Sequence, residues 1–225
     1  MTAFWTPDQQ ALAPYLKAKH YAEKCVQIIA GSLQPGMTVA DCEQLMRDWL
    51  RAHQVFDPAR PPRVRFSGHN RARPFGLNRP GKRRYRQGMT YILRCDAVLN
   101  GYAAKASLAG PSEEPALVAL QHELEEWRQA LPATLAHGHS PQQLAARFPD
   151  VQQRHRLAPI TGNLPEGNRI AEGALIPGLW QWQFSLSRDG HTVAGNEFLV
   201  MDDHGPRWLS QGADALTLDP PTLTQ

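Results

Sequence analysis

Basic side chains dominate one segment of this 225-residue chain. Between Pro58 and Cys95 the sequence has eleven Lys and Arg residues and no acidic residue, whereas the rest of the chain has 13 basic and 21 acidic residues. Such a block indicates either an anionic partner or a solvated basic loop. Three aromatic residues lie among the bases, so nucleic acid is one candidate partner for the segment 60–86, although it has no recognised nucleic-acid-binding motif.

Histidine and cysteine residues are the next candidates for chemistry. His137 and His139 have a spacing that could hold a metal ion, but they fall between two predicted helices, which favours a loop. The cysteines Cys25, Cys42 and Cys95 are odd in number and lack a CxxC spacing. That pattern is typical of reduced thiols rather than of a disulfide scaffold or a zinc module. We therefore expect all three to be inert core residues.

The elements that must position these side chains are a mixture of helices and strands. Apolar periodicity predicts a helix over residues 15–33 and further helices after Thr38, after Pro115 and from about Ser140. Thr38 and Asp41 resemble a capping box at the second helix. Asn100-Gly101 is a strong hairpin signal. Strands are predicted at residues 63–66, 91–98, 102–108, 180–186 and 198–201.

A weak internal repeat suggests that the chain has two related halves. Residues 32–38 align with residues 134–140, because each segment ends a helix, turns at a glycine and begins a new helix with a hydroxyl residue. We expect one α+β domain over residues 15–212, with an N-terminal extension over 1–14 and a C-terminal tail over 213–225.

The amino-acid sequences of several of these elements, in their order along the chain, resemble those of a known superfamily. IIAGSLQPGMTVADCEQLMRDWL resembles the N-terminal helices of the pita-bread metallopeptidases, which include methionine aminopeptidase, aminopeptidase P, prolidase and creatinase. QGMTYILRCDAVLNGYAAKASLAG resembles their central hairpin, and NEFLVMDDHGPRWLS resembles their C-terminal strand. The resemblance implies a pita-bread fold, a curved antiparallel sheet flanked by helix pairs with pseudo-two-fold symmetry and a pocket on its concave face.

The resemblance also implies where metal ligands would lie. Members of the superfamily hold two metal ions with two Asp, one His and two Glu. The positions that match the two Asp are Arg94 and Lys105, and charged Arg and Lys side chains have no lone pair for a metal. The remaining ligands match Asn163, Gln183 and either Asn196 or, with a shift of one, Glu197. We therefore expect no metal and no other cofactor.

A pocket with two inward cations should favour an anionic group. The predicted catalytic residues are Lys105 as base or nucleophile, Arg94 as stabiliser of an oxyanion and Glu197 as acid. The predicted ligand-binding residues are His69, Asn70, Tyr102, Asn163, Gln183 and Asn196.

These residues favour a metal-independent relative of the pita-bread aminopeptidases that binds, and transforms, a small anionic or peptidyl molecule. The reaction type stays open. One alternative is a non-catalytic module that binds protein or nucleic acid through the basic segment 60–86. Another is a metalloaminopeptidase with rearranged ligands.

Composition excludes several other classes. No apolar run reaches the ~18 residues of a membrane span, and MTAFWTPDQQ lacks the basic and apolar regions of a signal peptide. We expect a cytoplasmic protein without a membrane partner. Tryptophans at an exposed edge strand would suit a homodimer.

Overall fold

A computed structural model of the chain describes residues 9–67, 83–111, 113–138, 151–161, 164–165 and 177–210. Three helices are described: α1 (Gln9–Gly31), α2 (Val39–Ala52) and α3 (Pro115–Ala136). The predicted capping box begins α2, because the Asp41 amide donates to Thr38 Oγ1 at 3.1 Å and the Thr38 amide donates to the Asp41 carboxylate at 2.8 Å. Among the described residues, no helix has the length and apolarity needed to cross a membrane.

The described strands form two antiparallel sheets, with the orders β1-β2-β3 and β5-β4-β6-β7-β8. Their bounds are β1 (Arg63–Ser67), β2 (Thr90–Leu99), β3 (Tyr102–Gly110), β4 (Gln152–Thr161), β5 (Leu164–Pro165), β6 (Gly178–Arg188), β7 (His191–Asp202) and β8 (Gly205–Trp208). The sheets meet at β3 and β7, where Asn196 Nδ2 donates to Ser107 Oγ at 3.0 Å.

The β2–β3 hairpin follows its sequence signal. Asn100 and Gly101 have φ values of 51° and 85°, which is the left-handed backbone that a two-residue hairpin turn requires. This turn sets the register, so that Asp96 lies opposite Lys105 and Arg94 lies opposite Ser107. Because side chains alternate between faces, all four point to one side of the hairpin.

The other side of the hairpin is covered by α1 and α2. Cys25, Cys42 and Cys95 are free and buried in this core, as predicted. A second apolar region lies between α3 and the larger sheet, where the Trp182 ring stacks with the rings of Trp127 and Trp208. The hydrophobic effect of these two layers holds each sheet against its helices.

Three expectations differ from the structure. The first helix begins at Gln9, and Leu12 is buried in the core, so the predicted boundary between residues 14 and 15 lies inside α1. Strand β4 was not predicted, because its sequence QQRHRLAPIT has few apolar residues and a proline. Trp180 and Trp182 are buried on β6, which pairs on both sides with β4 and β7. The tryptophan strand is therefore not an exposed edge, and the homodimer stays a prediction without that surface.

The predicted helix near Ser140 and most of the basic segment 60–86 lie outside the described residues.

Candidate functional site

A cavity of about 350 Å³ is lined by side chains from both sheets. It lies on the side of the β2–β3 hairpin that α1 does not cover. Strands β1, β2, β3, β4, β6 and β7 all contribute to its walls. The charged residues of its lining are Arg63, Arg94, Asp96, Lys105 and Arg154.

One line of polar side chains crosses the floor of this cavity, and we call it the polar row. Strand register places Arg63 opposite Arg94, and Arg94 opposite Ser107. The Asn196 amide continues the line with its 3.0 Å hydrogen bond to Ser107, and Asn196 lies opposite Gln183. Because directly opposed residues have Cβ atoms about 4.5–5.5 Å apart, the polar row is continuous over β1, β2, β3, β7 and β6.

The Arg63–Arg94 pair is electrostatically unfavourable by itself. Like charges that face each other across a strand pair repel. Desolvation by partial burial, followed by the charge of Arg65, lowers the pKa of Arg94, although Arg94 keeps contact with solvent. In the described part of the chain, neither Arg63 nor Arg94 forms an ion pair with a carboxylate. The carboxylates of the described residues therefore do not offset the repulsion within the pair.

The acidic residue of the cavity is Asp96, which was not among the predicted site residues. Asp96 lies opposite Lys105, and one of its carboxylate oxygens is 3.6 Å from Arg60 Nη1. Burial raises the pKa of Asp96, while Lys105 and Arg60 act in the opposite direction. Strand alternation could have identified Asp96 as a cavity residue from the sequence, because Asp96 lies two residues after Arg94 and therefore on the same face of β2.

The structure brings four of the predicted site residues into the cavity lining, and they are Arg94, Lys105, Gln183 and Asn196. Three others lie outside the described residues, and they are His69, Asn70 and Asn163.

The prediction that Glu197 acts in the cavity is corrected by the structure. Neighbouring residues of a strand point to opposite faces, and on β7 the cavity face carries Asn196. Glu197 instead forms an ion pair with Lys19 of α1. Its partner across the β6–β7 ladder is Trp182, which is fully buried. Of the two alignments of the last ligand position, the one without a shift therefore agrees with the cavity lining, because it selects Asn196.

Tyr102 is a second correction. It lies at the start of β3, where its ring packs edge-to-face on Tyr15 of α1 with ring centroids 5.0 Å apart. It does not contribute to the cavity lining. The hairpin turn places Tyr102 opposite Leu99, at the end of the ladder that is covered by α1. Its role is therefore in packing.

The residues at the expected metal-ligand positions do not fit a pair of divalent ions. The four that are described are two cations, Arg94 and Lys105, and two amides, Gln183 and Asn196. Hard divalent ions need several convergent oxygen or nitrogen ligands, and Asp96 is one carboxylate already between two cations. Among the described residues, no three His, Cys, Asp or Glu side chains come together.

Two further arginines of the cavity were also missed. Arg63 was assigned only to the basic segment. Alternation along the predicted strand 63–66 could have indicated its place, because it puts Arg63 on the face that is not buried. Arg154 had no such signal, because it lies on β4, which was not predicted. It reaches the cavity opposite Ser185 of β6.

No family model and no curated protein matches the sequence. Solved structures do match. X-Pro aminopeptidase from Thermotoga maritima aligns with a TM-score of 0.67 at 12% identity, over 91% of this chain and 62% of that chain. A dipeptidase from Pyrococcus horikoshii aligns with a TM-score of 0.65 at 18% identity, over 89% and 60%. Prolidase from Pyrococcus furiosus aligns with a TM-score of 0.60 at 14% identity, over 90% and 64%.

The chain thus spans about 60% of the length of these proteins. At such low sequence identities the structural similarity concerns the fold. It confirms the fold that the sequences of the predicted helices and hairpin implied. The chain has the pita-bread fold of aminopeptidase P, prolidase and dipeptidase.

Proposed function

We propose that the cavity binds a small molecule through an anionic group, without a metal ion. The observation that carries this proposal is the Arg63–Arg94 pair, which faces the cavity with no carboxylate partner among the described residues. An anion between two guanidinium groups removes their repulsion and gains charge-assisted hydrogen bonds. A carboxylate or a phosphate meets this requirement.

The rest of the polar row supports a ligand that also has neutral polar groups. Ser107, Asn196 and Gln183 each offer both a donor and an acceptor. Peptide groups need the same combination. Two structural neighbours are named X-Pro aminopeptidase and dipeptidase, and the terminal carboxylate of a peptide is an anion of the proposed class. A short peptide is therefore the first ligand to test.

Lys105 and Asp96 are the residues that would act in any acid–base chemistry in this proposal. They lie opposite each other in the β2–β3 ladder, and both line the cavity. Arg94 is two residues from Asp96 and would stabilise an anionic oxygen. The predicted acid, Glu197, has no part in this arrangement because it lies outside the cavity lining.

Calorimetric titration with the dipeptide Ala-Pro, with its C-terminal amide and with inorganic phosphate tests the proposal. A charge-assisted hydrogen bond contributes roughly 1.5–3 kcal/mol, so the amide should bind at least about tenfold more weakly than the free acid. Arg94→Gln should weaken Ala-Pro binding by a similar factor. Arg86→Gln is the matched control, because Arg86 is exposed and does not line the cavity.

Two outcomes contradict the proposal. If neither Ala-Pro nor phosphate binds, the cavity is not an anion site. If the dipeptide and its amide bind equally well, the arginine pair does not recognise the carboxylate. Metal independence is tested separately by elemental analysis of protein purified without chelator and by repeating the titration in EDTA. Two metal ions per chain, or loss of binding in EDTA, would restore the metalloaminopeptidase alternative.

A further inference from the structure

We infer that the ligand of this cavity carries two anionic groups, one for each end of the cavity. The inference rests on the function proposed above and narrows its ligand class. The first end is the Arg63–Arg94 pair, and the second is Arg154.

Strand order separates the two ends. Arg63 and Arg94 lie on β1 and β2, whereas Arg154 lies on β4 in the other sheet. Between them come β3, β7 and β6, with β3 and β7 joined through the Ser107–Asn196 hydrogen bond. Strand β4 is four strand spacings from β2 and five from β1. Neighbouring strands are about 4.8 Å apart, so the ends are separated by roughly 19–24 Å along the sheets. One monovalent anion cannot contact both ends.

The other charges near the Arg63–Arg94 end are already balanced. Lys105 lies opposite Asp96, and Arg60 also pairs with Asp96 at 3.6 Å. Arg60 in turn is 3.6 Å from Asp57. These two bases and two acids compensate one another, so they add little net charge to the cavity.

The ends are not balanced in this way. Arg154 is exposed and, like the Arg63–Arg94 pair, has no carboxylate partner in the part of the chain that is described. The neutral side chains of Ser107, Asn196 and Gln183 lie between the two ends. Along the cavity the order is therefore cationic, neutral and polar, and cationic.

A molecule complementary to this order has two anionic groups joined by a short neutral, hydrogen-bonding segment. Small dicarboxylates and peptides with an acidic side chain belong to this class. A monoanion would leave one end unpaired, and a compact polyanion would concentrate its charge at one end. Electrostatic complementarity of this kind sets specificity more strongly than affinity.

The test compares linear dicarboxylates with monocarboxylates of equal chain length: glutarate with pentanoate, adipate with hexanoate and suberate with octanoate. Affinities are measured by calorimetry at one ionic strength, because surface charges are screened by salt. We expect the best dicarboxylate to bind at least tenfold more tightly than its monocarboxylate. The chain length at which this ratio is greatest reports the distance between the two ends.

Single-residue variants test whether Arg154 and Arg94 each bind one of the two anionic groups. Arg154→Gln should reduce the dicarboxylate affinity to within about twofold of the monocarboxylate affinity, while monocarboxylate binding changes by less than about threefold. Arg94→Gln should remove the dicarboxylate preference in the same way. Arg86→Gln should preserve it. Circular dichroism and thermal unfolding confirm that each variant is folded, and exposed Arg154 has few packing contacts to lose.

The outcomes separate this inference from the proposed function. Equal binding of dicarboxylates and monocarboxylates, or a preference unchanged by Arg154→Gln, overturns the inference and leaves the anion site in place. Phosphate binding that is tighter than every dicarboxylate also overturns it, because a compact anion would then be preferred. Failure of all carboxylates, Ala-Pro and phosphate overturns the proposed function itself.

Discussion

Individual side chains determine what the cavity can bind. Arg94 and Lys105 are cations at positions where the resemblance implies metal-binding carboxylates. Asp96 lies in the same cavity and is held between Lys105 and Arg60. Its raised pKa indicates that the cost of removing the carboxylate from water exceeds the attraction of those two cations. Stability measurements can test this balance.

Comparison of the native chain with Asp96→Asn should reveal this desolvation cost as a pH dependence of the free energy of unfolding. Because the folded-state pKa of Asp96 is raised, the folded chain binds its proton more readily than the unfolded chain does. The stability associated with Asp96 is therefore fully present below the unfolded pKa and is lost as the pH rises through the folded pKa. The free energy of unfolding of the native chain, relative to Asp96→Asn, should be lower at pH 6 than at pH 3 in urea titrations. The opposite trend would mean that Arg60 and Lys105 outweigh burial.

At the level of elements, a buried ion pair joins α1 to β7. Lys19 is 8% exposed, and its ammonium group contacts the Glu197 carboxylate. Removal of one partner of a buried pair leaves an uncompensated charge, whereas removal of both is often neutral. The pair therefore constrains how α1 packs on the larger sheet.

Lys19→Met should destabilise the protein by about 3 kcal/mol, because Glu197 remains partly buried without its cation. The double variant with Glu197→Gln should recover most of this loss. Urea unfolding of the two single variants and the double variant measures the coupling. Additive effects would contradict the buried pair. Glu197→Gln alone should leave Ala-Pro binding unchanged, because Glu197 lies outside the cavity lining.

The β6–β7 ladder includes a close approach that requires glycine. A Cβ at Gly195 would lie 2.2 Å from Cζ of Phe184, and the Phe184 ring is fixed by stacking on Trp182 at 3.9 Å. Gly195→Ala should therefore cost about 1–3 kcal/mol in the free energy of unfolding. Gly31→Ala is the control, because its Cβ would meet no atom within 4 Å. Equal stabilities of the two variants would show that the ladder adjusts without strain.

At the scale of the whole molecule, the cavity joins the two sheets, so a ligand should stabilise both together. Ala-Pro at 100 times its dissociation constant should raise the free energy of unfolding by about 2.7 kcal/mol. With binding weakened about tenfold, the effect should fall to about 1.4 kcal/mol in Arg94→Gln at the same dipeptide concentration, and it should persist in full in Arg86→Gln. Thermal unfolding with a fluorescence probe measures it, and unfolding of the two sheets in separate transitions would contradict the expectation.

The nucleic-acid alternative also belongs to the whole molecule, because it depends on the distribution of charge. With an otherwise acidic chain around the basic segment 60–86, we expect only nonspecific binding of single-stranded RNA, no tighter than about 10⁻⁶ M at physiological salt and lost steeply as salt rises. Fluorescence anisotropy over a salt series measures this. Tighter binding with a shallow salt dependence would favour the interaction module over the anion site.

The sequence by itself determined the parts of this protein that depend on neighbouring residues. The capping box of Thr38 and Asp41, the Asn100-Gly101 turn and the alternation of residues 180–186 are local, because each involves residues a few positions apart. The turn also sets which residues of β2 and β3 share a face, so the positions of Arg94 and Lys105 relative to the turn are enough to place them on the same side of the hairpin.

Only the tertiary structure decided which distant side chains share the cavity. Asn196 and Glu197 are neighbours in sequence, and a register change of one residue exchanges their faces. Arg154 joined the site only because β4 pairs with β6, a pairing between segments with no common local signal. Pairing, register and burial are properties of the assembled sheets, so the Arg154 end of the cavity and the off-site position of Glu197 could not be predicted from the sequence alone.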